Sequence, residues 1–183
     1  MIWTNRAELP APLFSALTEK TYIKVGDVSA TELLKSPRQR LLAIRHDKEI
    51  VKDASENLWS VMGTAVHDLI VKHSGKVNGL AEERFHAKIK GPIKTWDLSG
   101  EVDLIEDLGD GLLSLTDYKF VGVFSYLAEK KRGGIKEEWE QQLNMYRWLV
   151  HNAMGWDVKL LRIGFIGRDW MQSKAKMEQD YPK

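Results

Sequence analysis

Asp117 and Lys119 stand two residues apart in "LLSLTDYKF" (Leu112 to Phe120), a segment whose first half has the apolar content of a buried strand. Side chains alternate across a strand, so Leu113, Leu115, Asp117 and Lys119 line one face. A carboxylate and an ammonium on a core-facing row need partners or a purpose, because burying either alone is costly. A second acid, Asp103, lies on the far side of the turn signal "LGDG" (Leu108 to Gly111), almost symmetrical with Asp117 about Gly109 and Asp110. In a tight hairpin the two carboxylates come nearly opposite each other. At about 5 Å they repel by roughly 3 kcal/mol at an effective dielectric near 20. Protonation of one, or a cation between them, relieves that repulsion. Lys119 is one candidate cation. A divalent metal is the other, and hard oxygen ligands suit magnesium or manganese.

Two further groups could join such a centre. His67 sits in "GTAVHDLI", one helical turn after Gly63 on the same face. A glycine there would let another backbone approach, so that His67 leans over a neighbouring sheet. A lone helical histidine is more often structural than a ligand. Gln142 and Tyr146 are spaced i, i+4 in "QLNMY" and share a helix face, which Trp139 and Leu149 extend. Taken alone, that face reads as a packed stripe with two polar members.

The elements that must position these residues follow from periodicity and punctuation. Ser29 to His46 reads as a short helix, a break at Ser36-Pro37, and a second helix with proline in its first turn. Ser55 to Gly75 reads as a long helix, with Ser55 as N-cap, an apolar face at Leu58, Met62, Val66 and Leu69, and Gly75 after its end. The period then changes. Glu82 to Gly91 and Thr95 to Asp107 alternate as strands do, and the Leu112 strand follows the turn. Ile135 to Gly155 is a second long helix, and Asp157 to Gly167 one more strand. Helices, a three-strand meander, a helix and a strand make an α/β (α+β) domain with a mixed central sheet and flanking helices.

The chain of 183 residues is long enough for a single domain with a sizeable core. Its organisation reads as an N-terminal helical segment to about residue 54, a core over about 55–170, and a polar tail from Arg168 to Lys183. The tail ends without a closing element, as a truncated chain would. No apolar run is long enough for a membrane span, and no signal-peptide pattern opens the chain. There are no cysteines, which excludes disulfides, thiol catalysis and cysteine-held zinc or iron–sulfur clusters within the chain, and fits a cytoplasmic protein. The net charge of +1 is uninformative, but its distribution is uneven. Charges from Asp97 to Asp117 are all acidic, while basic residues gather at Lys35 to Arg45, Lys119 to Lys136 and Arg162 to Lys176. Basic groups folded around an acidic centre would suit a polyanion beside bound metal. A mixed, solvated surface has the same composition.

Taken together, "GTAVH", "SGEVD", "DYK" and "QLNMY", in this order and on these elements, resemble the PD-(D/E)XK nuclease superfamily. The similarity is to its RecB-type branch, which includes the nuclease domains of bacterial recombination helicases, a CRISPR-associated exonuclease family and many phage exonucleases. In that branch a helical histidine precedes a G-x-x-D strand, a D/E-x-K strand and a helix with Q-x-x-x-Y. The matching residues here are His67, Gly100 to Asp103, Asp117 to Lys119, and Gln142 to Tyr146, within a resemblance spanning roughly residues 29 to 170. Several members carry a cluster-ligating cysteine before the proline of the segment matching "LLKSPRQRL". Ser36 stands there in this chain, so no iron–sulfur cluster is expected.

The resemblance implies a restriction-endonuclease-like core and a magnesium- or manganese-dependent deoxyribonuclease, in most of the branch an exonuclease. Asp103 and Asp117 would bind one or two divalent ions, with the Tyr118 carbonyl as an extra ligand. His67 would complete that site or bind a second ion. Lys119 would position the attacking water and offset charge on the phosphorane. Gln142 and Tyr146 would hold the phosphate backbone or brace Lys119. Two other readings use the same residues: a non-catalytic nucleic-acid-binding module, and a metal-dependent hydrolase of small phosphoesters. An exposed basic groove favours the nuclease, and a closed apolar pocket the hydrolase.

Overall fold

A computed structural model describes residues 1–19, 25–74 and 78–182. In chain order the elements are β1 (Ile2–Thr4), α1 (Ala11–Thr18), β2 (Val28–Ser29), α2 (Ala30–Leu33), α3 (Pro37–Arg45), β3 (Val51–Asp53), α4 (Leu58–Ser74), β4 (Gly79–Lys90), β5 (Thr95–Asp107), β6 (Leu113–Val121), α5 (Val123–Arg132), α6 (Glu137–Met154), β7 (Val158–Gly167) and α7 (Gln172–Met177). The architecture is mixed α/β, with a mixed central sheet flanked by helices.

Strand β5 is the axis of that sheet. Along one edge β4 runs antiparallel to it, from Gly79 opposite Glu106 to Lys90 opposite Thr95. The other edge is shared. Short β2 pairs parallel with Leu98 and Ser99. Strand β6 pairs antiparallel further along, from Asp107 opposite Leu113 to Leu104 opposite Thr116. Among the described residues, no strand pairs with this edge between Ser99 and Leu104. Beyond β6, β7 pairs parallel over nearly its whole length, from Leu113 opposite Val158 to Val121 opposite Gly167.

Helix α6 covers the sheet because its apolar residues recur at helical spacing. Leu143, Tyr146, Leu149 and Val150 are buried, and they join Leu98, Val102, Ile105 and Leu115 in the main core. Each fully buried large aliphatic side chain contributes roughly 1.5–3 kcal/mol relative to exposure. Glu137, Glu138 and Glu140 occupy the first turn of α6, where the helix dipole favours acids. Gly155 closes it in the left-handed conformation at φ 69°.

The structure differs from the sequence reading in five places. The turn entering α4 is capped by Asp53 rather than Ser55, through a reciprocal box with Glu56 over a 3-10 turn at Ala54–Asn57. Gly75, expected to close that helix, lies outside the described residues. No residue of α4 is fully buried, and Met62 and Leu69 of its expected inner face are exposed. Its half-buried positions are Leu58, Val61, Gly63, Val66, His67, Ile70, Val71 and Ser74, so Leu58 and Val66 of that face are kept and Met62 and Leu69 are not. Helix α5, between β6 and α6, had no counterpart in the expected order. The N-terminal segment is not purely helical, since β1 pairs parallel with β3. The polar tail does close on the protein: α7 forms there, and Ala175 and Tyr181 are buried against Val123. No helix among the described residues is long and apolar enough to cross a membrane.

Candidate active site

The bare stretch of the β5 edge is where the charged residues meet. Backbone pairing between β5 and β6 stops at Leu104 and Thr116. One step further the same register sets Asp103 against Asp117, as the near-symmetry about the turn anticipates. There the ladder is replaced by a side chain: Asp103 Oδ2 accepts the Tyr118 N–H at 2.7 Å. In an extended strand the N–H and C=O of one residue face the same neighbour. The Tyr118 carbonyl therefore also faces the gap.

Asp117 is buried, 3 % exposed, and burial pushes its carboxyl up to about 6 against the pull of the Lys119 ammonium. Lys119 Nζ lies 2.7 Å from Asp117 Oδ2. That ammonium is the one polar partner this buried oxygen has among the described residues. Gln142 ties the group together. Its carbonyl accepts from Lys119 Nζ at 2.9 Å. Its amide donates to Asp117 Oδ1 at 3.2 Å and to the Tyr146 hydroxyl at 2.7 Å. The Tyr146 phenol is held protonated, chiefly by burial. Through these bonds Gln142 braces both Lys119 and Asp117. Gln142 is largely buried although it borders the cleft with Lys35 and Lys119, so truncating it takes a hydrogen bond from three polar partners.

His67 reaches the gap from α4. Its Nε2 lies 3.0 Å from Asp103 Oδ1, and its Nδ1 lies 3.0 Å from Glu82 Oε1. Asp103 above all, with Glu82 adding to it, raises the imidazole to about 9. Without a metal it is an imidazolium held between two carboxylates. Gly63 does not act as expected. A Cβ there would meet only the Phe120 side chain, at an ordinary 3.6 Å, so no backbone depends on its absence. Gly100 is the glycine that a close approach requires. A Cβ there would come 2.7 Å from Leu149 Cδ1 and 2.9 Å from Tyr146 Cε1. Its bare backbone lets α6 settle on β5 and bring Gln142 over the gap.

Glu82 was missed in the sequence. It sits in mid-strand with φ 51°, a conformation side chains with a Cβ rarely adopt. Its neighbours Ala81 and Glu83 pair with Leu104 and Val102, which places it across β5 from Asp103. The core membership of both strands slips in phase at this point, from Leu80 to Phe85 and from Val102 to Ile105. Nothing in "AEER" separates Glu82 from Glu83 until β4 is laid on β5.

His67, Asp68 and Glu82 present potential ligand atoms within 4.8 Å of one another. Within it Glu82 lies at Nδ1 of His67, whereas Asp103 lies at Nε2. Asp103 and Asp117 are not part of such a group among the described residues; they bring two carboxylates beside the Tyr118 backbone and the His67 imidazole. Asp68 is exposed. The absence of cysteine leaves no thiolate to hold an iron–sulfur cluster.

No protein-family model and no curated protein matches the chain. Among solved structures, the crystal structure of SSO0001 is similar in fold, with a TM-score of 0.60 and 18 % identity over 86 % of this chain and 71 % of that one.

Proposed function

We propose that this protein is a divalent-metal-dependent nuclease that hydrolyses DNA phosphodiester bonds, with the exonuclease habit of the RecB-type PD-(D/E)XK branch. One observation carries the reading. A buried aspartate and a lysine share a gap in the sheet edge with a second aspartate, and one glutamine binds both the lysine and the buried acid. Structural ion pairs have no need of a second carboxylate and an interrupted ladder.

Magnesium or manganese would be held by Asp103, Asp117, the Tyr118 carbonyl and His67, where it would activate water and polarise the scissile phosphate. Asp103 must leave His67 or share it, and His67 must lose its extra proton to act as a ligand. Asp117 must be ionised. Lys119, steered by Gln142, orients the attacking water and balances charge that develops on the phosphoryl oxygens. Tyr146 holds the Gln142 amide and so fixes that steering at one remove. Two open clefts flank the gap. One lies against His67 and Tyr118, and the other is lined by Lys35, Lys119 and Gln142. A polymer crossing the site suits this better than a small enclosed phosphoester does.

The test is incubation with end-labelled single-stranded DNA, duplex DNA and closed circles, in magnesium, manganese or chelator. Metal-dependent loss of linear strands with circles spared is the expected result. Binding without cleavage in either metal would leave a non-catalytic module. Hydrolysis of a small phosphoester with all DNA intact would leave the small-substrate hydrolase.

A further inference from the structure

The cleft between α4 and the β6–β7 pair has walls that the hydrolytic reading does not use. It encloses about 320 Å³ and is lined by Trp59, Gly63, His67, Ile70, Tyr118 and Phe120, among others. That volume sits at the lower end of the about 300–1,000 Å³ typical of small-ligand sites. His67 and Tyr118 belong both to this cleft and to the carboxylate gap. Whatever occupies the cleft is therefore contiguous with whatever reacts. Trp59 is 46 % exposed at its rim. The Arg168 guanidinium lies 4.7 Å from the centre of its ring. Arg168 is exposed; its Nε and the Asp169 carboxylate both flank Gly122, but that carboxylate accepts the Val123 N–H and no ion pair within 4.0 Å ties it to Arg168. Gly63 leaves the floor low, with only Phe120 within van der Waals reach of a Cβ built there.

We propose that this cleft is a nucleobase site: an unpaired base at the end of a DNA strand stacks on Trp59, with Arg168 against the adjoining phosphate. The inference rests on the nuclease reading, and it adds the residues that would hold the terminal base. Three features favour this occupant over an apolar side chain. A flat aromatic wall suits a ring, and every base has a π-face to stack. An unpaired cation at the ring suits an anion, and each base brings a phosphate. The shared His67 and Tyr118 put the next phosphate of the strand at the carboxylate gap. A base paired in a duplex cannot enter, because its partner would have to come with it.

The experiment uses single strands with 2-aminopurine at either end or in the middle, calcium replacing magnesium so that no strand is cut. Binding should quench the probe at one end and not in the middle. Trp59→Ala should abolish that quench and weaken single-strand binding by roughly tenfold. Trp59→Phe should keep most of both, and binding of a blunt duplex should not change. Arg168→Ala, which leaves the ring in place, should weaken binding while keeping the quench. Trp59 is half exposed, so the melting temperature of Trp59→Ala should fall by only a few degrees. If Trp59→Ala folds, binds single strands as the parent does and shows the same quench, the proposal is wrong. If it does not fold, parent-like affinity in Arg168→Ala with no end-specific quench in the parent overturns it equally. Quenching without any cleavage in magnesium or manganese would instead remove the hydrolytic reading and leave the stacking site standing.

Discussion

Asp117 concentrates the conflict between stability and chemistry in one side chain. Its carboxyl is raised to about 6 by burial, so ionising it disfavours the fold. For an acid raised in the folded state, the unfolded chain releases its proton first. Stability therefore falls as pH rises from about 4, the ordinary carboxylate value, to the folded value, and stays reduced above it. Asp117→Asn removes that penalty. In chelator at pH 7–8 the variant should be more stable by about 1–2 kcal/mol after Lys119 loses its ion partner, or roughly 2–8 °C in melting temperature. Near pH 4 the difference should vanish. Calorimetry with manganese should show binding largely lost. Unchanged manganese binding would move the ion to the His67, Asp68 and Glu82 side. Lys119 is predicted to matter for the reaction step. Lys119→Ala should retain manganese binding yet cleave about 10²–10³-fold more slowly, the usual cost of losing one donor to a developing oxyanion. Cleavage within tenfold of the parent would disprove its assigned role. Strand alternation and the symmetry about the turn single out Asp103, Asp117 and Lys119 as candidates, whereas His67, Gln142 and Tyr146 enter only through the resemblance, since each alone reads as structural. The residue pattern was silent on Glu82, whose position opposite Asp103 depends on strand pairing and a positive φ that no local spacing encodes.

Elements were legible where one period dominates. Strand β5 occupies Thr95–Asp107 as its alternation requires, and α6 ends at the glycine that marks it. Helix α4 was legible as a helix and misread in part as to its face. Apolar residues surround it, including Leu58, Trp59, Val61, Met62, Val66, Leu69 and Ile70, so periodicity alone does not select a side. The side is chosen by His67, which is drawn between Asp103 and Glu82. Helix α5 was hidden because its ten residues are short for a pattern and end in Lys130, Lys131 and Arg132, which also read as a solvated loop. The element-level prediction concerns how α6 is seated. Gly100→Ala would place a methyl under 3.0 Å from Leu149 and Tyr146, both buried. Relief requires α6 to lift, and overpacking of this kind costs about 1–3 kcal/mol. Because Tyr146 and Gln142 move with the helix, cleavage per folded molecule should fall as well. A Gly100→Ala protein with lowered melting temperature and normal specific activity would show that the bracing of Lys119 tolerates a displaced helix.

At the scale of the whole molecule the question is how a protein of net charge +1 would hold a polyanion. Part of its basic charge is engaged in ion pairs. Arg84 pairs with Glu101, Arg162 with Glu106, Lys94 with Asp27 and Arg132 with Glu129. The cations nearest the clefts are few: Lys35 and Lys119 line the one beside Gln142, and Arg168 lies over the Trp59 ring at the rim of the other. A strand crossing from one cleft to the other would meet these three cations in succession. Few phosphates are then neutralised, and single-strand affinity should depend only shallowly on salt. Each lost phosphate contact lowers the slope of log affinity against log salt by about 0.7. Lys35 is the suitable probe, since it lines the cleft without touching Asp103, Asp117 or His67. Lys35→Ala should weaken binding of single strands of any sequence to a similar degree and reduce the slope by about 0.7. Measured in calcium by fluorescence anisotropy between about 50 and 200 mM salt, an unchanged slope would place the strand elsewhere. A change several times larger would mean that Lys35 organises the cleft, and that its loss releases the strand from Lys119 and Arg168 together.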